Sequence, residues 1–148
     1  MNNKQTTIKD SVSLEGVGIH TGKDVKLTFH PAKENTGYVF KRVDLDNKPE
    51  IEALAKYVVN TQRGTTLEKD GVKLKTTEHV LAALVGLEID NILIEINAEE
   101  PPIMDGSSKF FVDALEKAGL KELSSLRNEY IVKDVISFND IESGSEIT

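Results

Sequence analysis

Thr76-Thr77-Glu78-His79 is the stretch of this 148-residue chain whose residue types and spacing best suit hydrolytic chemistry. It stands where a strand-like pattern gives way to an apolar helical one. The N-terminal end of a helix carries partial positive charge, which favours an ionised carboxylate and disfavours imidazolium. Neutral imidazole is the form that binds a metal, and an ionised carboxylate is the form that takes a proton from metal-bound water. Neighbouring helical residues project about a quarter-turn apart, so Glu78 and His79 can address one site, one as base and one as ligand. The same pair has a structural explanation. Acidic residues gather in first helical turns because the dipole favours them. Zinc catalysis takes about three protein ligands, and His79 has no ligand-type partner at i+3 or i+4. At this level both readings stand.

Few other residues compete. The chain has no cysteine, which excludes disulfides, thiolate zinc sites and cysteine nucleophiles together. Any metal must be held by His, Asp or Glu, and the histidines are only His20, His30 and His79. His20 lies in the glycine-punctuated turn Gly16-Val17-Gly18-Ile19-His20-Thr21-Gly22, where a hydrogen-bonded loop histidine is the simplest reading. His30 falls on the polar face of its strand beside Pro31 and is expected to face solvent. Asp105 is expected to cap a helix rather than to react. A net charge of −7 with no basic run argues against nucleic acid as a partner. The longest apolar run, Val80 to Leu87, is too short to cross a bilayer, and the N-terminus has no signal-like apolar segment, so the expected location is cytoplasmic.

The elements that must hold these residues are legible in outline. Ile8, Val12 and Leu14 alternate with polar residues, and so do Val25, Leu27 and Phe29, giving half-buried strands. Tyr38 to Val43 predicts a third strand and Ala55 to Val59 a fourth. Thr65 to Leu74 reads as a hairpin closing on Asp70-Gly71. From Thr76 or Thr77 to Val85 the period becomes helical, with Val80, Leu81, Leu84 and Val85 on one face and Gly86 as the stop. Asn91 to Asn97 predicts a strand that Pro101-Pro102 forbids from continuing. Asp105-Gly106-Ser107-Ser108 introduces a second helix carrying Phe111, Leu115 and Ala118, stopped by Gly119. The fold class is α+β, a mostly antiparallel sheet with two helices on one face. Composition places a first domain over 1–122. It leaves 123–148 as linker and the incomplete start of a second domain, with Lys121 to Glu129 as the linker and strands from Tyr130 and after Gly144. The sequence is therefore expected to be a fragment.

Four blocks in register carry a resemblance. Gly16 to Gly22, Thr76-Thr77-Glu78-His79-Val80-Leu81-Ala82-Ala83-Leu84, Asp90-Asn91-Ile92 and Pro102-Ile103-Met104-Asp105-Gly106-Ser107 together resemble UDP-3-O-acyl-N-acetylglucosamine deacetylase across essentially the whole chain. The resemblance implies two similar α+β domains with their helices packed between outer sheets and zinc at the junction. It implies a zinc metallo-amidase that hydrolyses the N-acetyl group of UDP-3-O-acyl-N-acetylglucosamine in lipid A biosynthesis. By match to the motif, Glu78 is similar to the general base and His79 to a zinc ligand. His20, Thr61 and Gln62 match segments lining the substrate approach. The family's other two zinc ligands form a His-x-x-x-Asp pair, followed by a further His, and neither occurs after His79 here. The resemblance therefore implies Zn2+ with its remaining ligands beyond Thr148, an absent second domain as partner, and an inactive chain in isolation. In some bacteria the family looks fused to a hydroxyacyl-carrier-protein dehydratase. The competing reading is a non-catalytic binding or assembly module that keeps the fold.

Overall fold

Alternation explains the sheet, and burial explains its order. The computed structural model describes residues 3–148, so the first two residues of the expected 1–122 domain lie outside it. In chain order the early strands are β1 (Lys4–Ile8), β2 (Val12–Val17), β3 (Asp24–Pro31), β4 (Tyr38–Arg42) and β5 (Glu50–Glu52). Then come β6 (Val58–Asn60), β7 (Thr66–Lys69), β8 (Val72–Leu74), helix α1 (Glu78–Gly86), β9 (Ile92–Ile96) and helix α2 (Lys109–Ala118). The chain continues into β10 (Leu120–Leu126), β11 (Phe138–Asp140) and β12 (Ser145–Ile147). The main sheet has the order β2-β3-β9-β4-β5, with β4 and β9 parallel and every other pair antiparallel. The class is α+β, as the sequence predicts.

Leu27, Phe29, Ile94 and Ile96 point the inner face of β3 and β9 into the core, and each is fully buried. Phe111 of α2 meets Phe29 edge-on, with ring centroids 6.4 Å apart at 88°, a favoured arrangement for the ring quadrupoles. Val80, Ala83 and Leu84 fill α1's share of the same core. At Asp70-Gly71 both turn residues have positive φ (52° and 80°) between paired Lys69 and Val72, as a two-residue hairpin requires.

Several expectations are corrected. Ile8 and Leu14 belong to strands of different sheets, because Lys9 and Asp10 donate their N–H groups to Gly119 and Ala118 carbonyls and turn the chain. Ala55–Tyr57 is a 3-10 turn preceding β6, with the Lys56 and Lys69 ammonium groups 4.8 and 5.5 Å from the Tyr57 ring centre. The unexpected β5 carries only one buried residue, Ile51, too little to show a period. Gly86 is the last residue of α1 rather than its stop. The left-handed residue beyond the helix is Glu88, at φ 53°. Val85 lies off the buried face and is exposed. Asp105 does not cap α2 directly; its Oδ1 accepts the N–H and hydroxyl of Ser107, whose own Oγ accepts the Lys109 N–H.

The stretch Lys121 to Glu129 is not a linker over its length. Leu120–Leu126 pairs antiparallel with β1, and Arg127 closes the pairing by donating to the Asn3 carbonyl at 2.8 Å. As half of a two-stranded ribbon it shows no one-sided apolar face. Residues 130–137 form no strand, and Tyr130, Ile131, Val132, Val135 and Ile136 stand exposed. His30 is not simply solvent-facing: its ring nitrogens lie 2.9 Å from Ser11 Oγ and 3.2 Å from Glu95 Oε2.

Candidate active site

The junction between β8 and α1 is built on an unusual residue. Thr76 adopts φ 53°, which a β-branched side chain resists. Thr77, next to it, turns toward Thr65: its N–H and its hydroxyl both donate to the Thr65 carbonyl, each at 3.2 Å. The Thr65 N–H donates in turn to Glu78 Oε2 at 2.8 Å. One residue of the preceding hairpin thus orients the carboxylate and ties the residue before the helix. His79 Nε2 lies 3.9 Å from Glu78 Oε1, and both side chains are partly exposed. The structure therefore brings the predicted base and ligand side by side at the start of α1.

Glu100 enters this site from far along the chain. Its side chain is fully buried. Oε1 accepts the Thr76 hydroxyl at 2.8 Å, and Oε2 accepts the N–H groups of His20 and Thr21 at 3.0 and 3.1 Å. Burial pushes the carboxyl pKa up, but these three hydrogen bonds together overcome it and leave the group below the ordinary carboxylate value. The glycine turn is shaped around the same carboxylate. A Cβ on Gly18 would stand 2.7 Å from Glu100 Oε2, so the turn needs glycine there for close approach.

An open pocket of about 250 Å3 lies beside the junction, lined by His20, Gln62, Arg63, Gly64, Lys75 and Thr76 among others. Of the three substrate-side candidates, His20 and Gln62 share this wall, whereas Thr61 is exposed and not part of it. Asn60 Oδ1 accepts the Gln62 N–H at 2.7 Å, and Arg63 follows at φ 59°, which together bend the chain around the pocket. A Cβ on Gly64, whose φ is 150°, would sit 3.4 Å from both Glu78 Oε1 and Thr76 Oγ1. Glycine at this position keeps the space beside the carboxylate open. Glu100, Thr65 and Arg63 were not singled out from sequence. The one available hint was Glu99-Glu100 ahead of Pro101-Pro102, a carboxylate pair where a strand must stop.

A catalytic zinc site takes about three protein donors and keeps a position for water. His79 suits one of them by chemistry and exposure. Among the described residues, however, no three His, Cys, Asp or Glu side chains gather as a metal-holding group. These residues do not complete such a site by themselves. The Asp90-Asn91 block also turns out to hold the fold. Asp90 Oδ2 accepts from the Thr6 N–H and the Arg127 guanidinium, and buried Asn91 bridges Gln5, Thr36 and Gly37.

Sequence comparison places this geometry in a family. The chain is 49% identical over 144 residues to a bifunctional enzyme LpxC/FabZ of Bacteroides thetaiotaomicron, covering 97% of this chain and 31% of that protein. It is 47% identical over 143 residues to the protein of the same name from Chlorobaculum tepidum, again covering 97% and 31%. A UDP-3-O-acyl-N-acetylglucosamine deacetylase of Idiomarina loihiensis is 43% identical over 145 residues, covering 97% and 47%. The chain thus spans from under a third to about half the length of these relatives. No helix among the described residues is long and apolar enough to cross a membrane. The sequence profile of UDP-3-O-acyl N-acetylglycosamine deacetylase matches residues 5–148, and the chain belongs to that family.

Proposed function

We propose that these residues contribute the general base and one metal ligand of a zinc-dependent, cytoplasmic deacetylase. Its reaction removes the N-acetyl group of UDP-3-O-acyl-N-acetylglucosamine in lipid A biosynthesis. Glu78 takes a proton from the attacking water, and His79 is one zinc donor, the others lying outside these 148 residues. The pocket walled by His20 and Gln62 is the approach for the substrate, and exposed Thr61 flanks it. The first domain ends near the close of β10, and the following residues lead into a second domain of similar build.

One observation carries the reading: the Glu78 carboxylate is held by the Thr65 N–H at 2.8 Å while standing 3.9 Å from the His79 imidazole. A base must be held within reach of the proton it removes, so a fixed carboxylate beside a free imidazole edge suits the task. The test is acetate release from UDP-3-O-acyl-N-acetylglucosamine by the full-length deacetylase carrying Glu78→Ala. Turnover should fall by about 10²- to 10⁴-fold with zinc content unchanged. Retained turnover would remove Glu78 as base and leave a non-catalytic module as the better description.

A further inference from the structure

Glu100 joins two segments through a fully buried carboxylate. One is the glycine turn that carries His20, and the other is the residue that launches α1. We infer that Glu100 is a positioning residue for the deacetylation assigned above. It fixes Thr76 in its left-handed conformation, so that Glu78 emerges from the helix start in a reactive orientation, and it clamps the His20 turn against that start. The inference rests on the Glu78 reading, and it concerns a residue that acts through the groups it holds.

Three observations carry it. First, Thr76 is a β-branched residue at φ 53°, and such a conformation persists only where surroundings over-determine it. Its hydroxyl has a fully buried carboxylate as acceptor, at 2.8 Å. Second, the remaining carboxylate oxygen accepts two main-chain N–H groups, from His20 and Thr21, so the group is bound on both sides. Third, Gly18 packs so closely on Oε2 that even a Cβ would collide with it. A buried carboxylate with both oxygens engaged is a rigid strut between the two walls of the pocket. Only Thr77, itself anchored to Thr65, separates Thr76 from Glu78, so a shift of the Thr76 main chain passes directly to the proposed base. Supporting groups of this kind set the geometry of the groups they hold.

The experiment uses the full-length deacetylase and five variants: Glu100→Gln, Thr76→Ala, the two combined, and Glu78→Ala with and without Glu100→Gln. Glutamine's carbonyl can still accept from His20 and Thr21, but its amide then presents a donor where the carboxylate accepted from Thr76, so Glu100→Gln breaks that acceptance with the least disturbance elsewhere. The expected result is a fall in kcat of about 10- to 100-fold for Glu100→Gln, with KM within about two-fold and a native circular dichroism spectrum. Thr76→Ala should give a similar fall, and the double variant should be no slower than the worse single one, because both cut the same link. In the Glu78→Ala background, Glu100→Gln should cause no further loss.

Wild-type kcat in Glu100→Gln would overturn the inference. So would multiplicative losses in the double variant, or a further loss when Glu78 is already gone. If Glu100→Gln does not fold, Thr76→Ala decides: a folded protein with wild-type kcat overturns the proposal, and a slow one with unchanged KM supports it. Failure of the underlying reading looks different, since Glu78→Ala alone would then keep its turnover.

Discussion

The main-chain N–H of Thr65 donates to the carboxylate of Glu78 across thirteen residues of sequence, at 2.8 Å, and this bond sets where that carboxylate can point. Gly64 lies beside it. With φ at 150°, Gly64→Ala should strain the chain beside the carboxylate, which the added Cβ would touch at 3.4 Å. A conformation that only glycine favours costs about 1–3 kcal/mol when another residue must adopt it. We expect Gly64→Ala to lose that much stability in urea titration and to lower turnover of the full-length enzyme by about 10-fold or more. Gly86→Ala is the control, because it has open space around it within a helix and should be neutral or slightly stabilising. Equal behaviour of the two variants would show that the Gly64 environment is slack.

How much of this was legible in sequence depends on the range of the interaction. Asp70-Gly71 announced its turn because the φ values it needs are a property of those two residues alone. Ile92, Ile94 and Ile96 announced a strand because one face of it is buried. Glu78-His79 stood out because a helix start has a fixed polarity. Leu120–Leu126 stayed hidden because a ribbon paired only with β1, and exposed over most of its side chains, has no alternation to read. Glu100 stayed hidden for a different reason: its partners Thr76, His20 and Thr21 lie 24 to 80 residues away, and only the folded chain brings them together.

The Glu100 carboxyl also carries a pH signature. Burial raises its pKa, but the hydrogen bonds from Thr76, His20 and Thr21 lower it further, so the folded value lies below the ordinary 4.5. A depressed carboxylate binds its proton more readily in the unfolded chain. Its stabilising contribution is therefore complete above the unfolded value and is lost as pH falls through the folded one. Glu100→Gln removes this dependence. The variant should be less stable than wild type by about 1–3 kcal/mol near neutral pH, and the gap should narrow in urea titrations below pH 4.5. A gap independent of pH would mean that the Glu100 carboxyl binds its proton equally well in the folded and unfolded chain.

Zinc should bind this 148-residue chain only weakly in isolation. His79 offers one imidazole, and no second or third donor gathers beside it to make a three-donor group among the described residues. Structural and catalytic sites draw their affinity from several simultaneous donors. Equilibrium dialysis at micromolar zinc should give well under one ion per chain, and His79→Ala should change that little. Tight stoichiometric binding that disappears in His79→Ala would show that partners for His79 exist within this chain.

The end of β10 tests where the first folded unit closes. Composition suggests a boundary at residue 122, whereas the structure carries pairing onward: Lys4 opposes Leu126, and Arg127 donates to Asn3, Asp90 and Glu88. Ser124 adds a main-chain bond to Glu34 at 2.8 Å, and Gln5, nearly buried, donates to the Leu126 carbonyl at 2.9 Å. Ending the chain after Glu122 removes all of these and leaves Gln5 short of a partner. At about 0.5–1.5 kcal/mol for each net hydrogen bond, these five bonds should be worth on the order of 3–7 kcal/mol relative to a chain ending after Glu129. Urea titration of the two lengths measures it directly. Equal stability would mean that β1 is held by α2 and the main sheet without its ribbon partner, and that the unit closes at residue 122 after all.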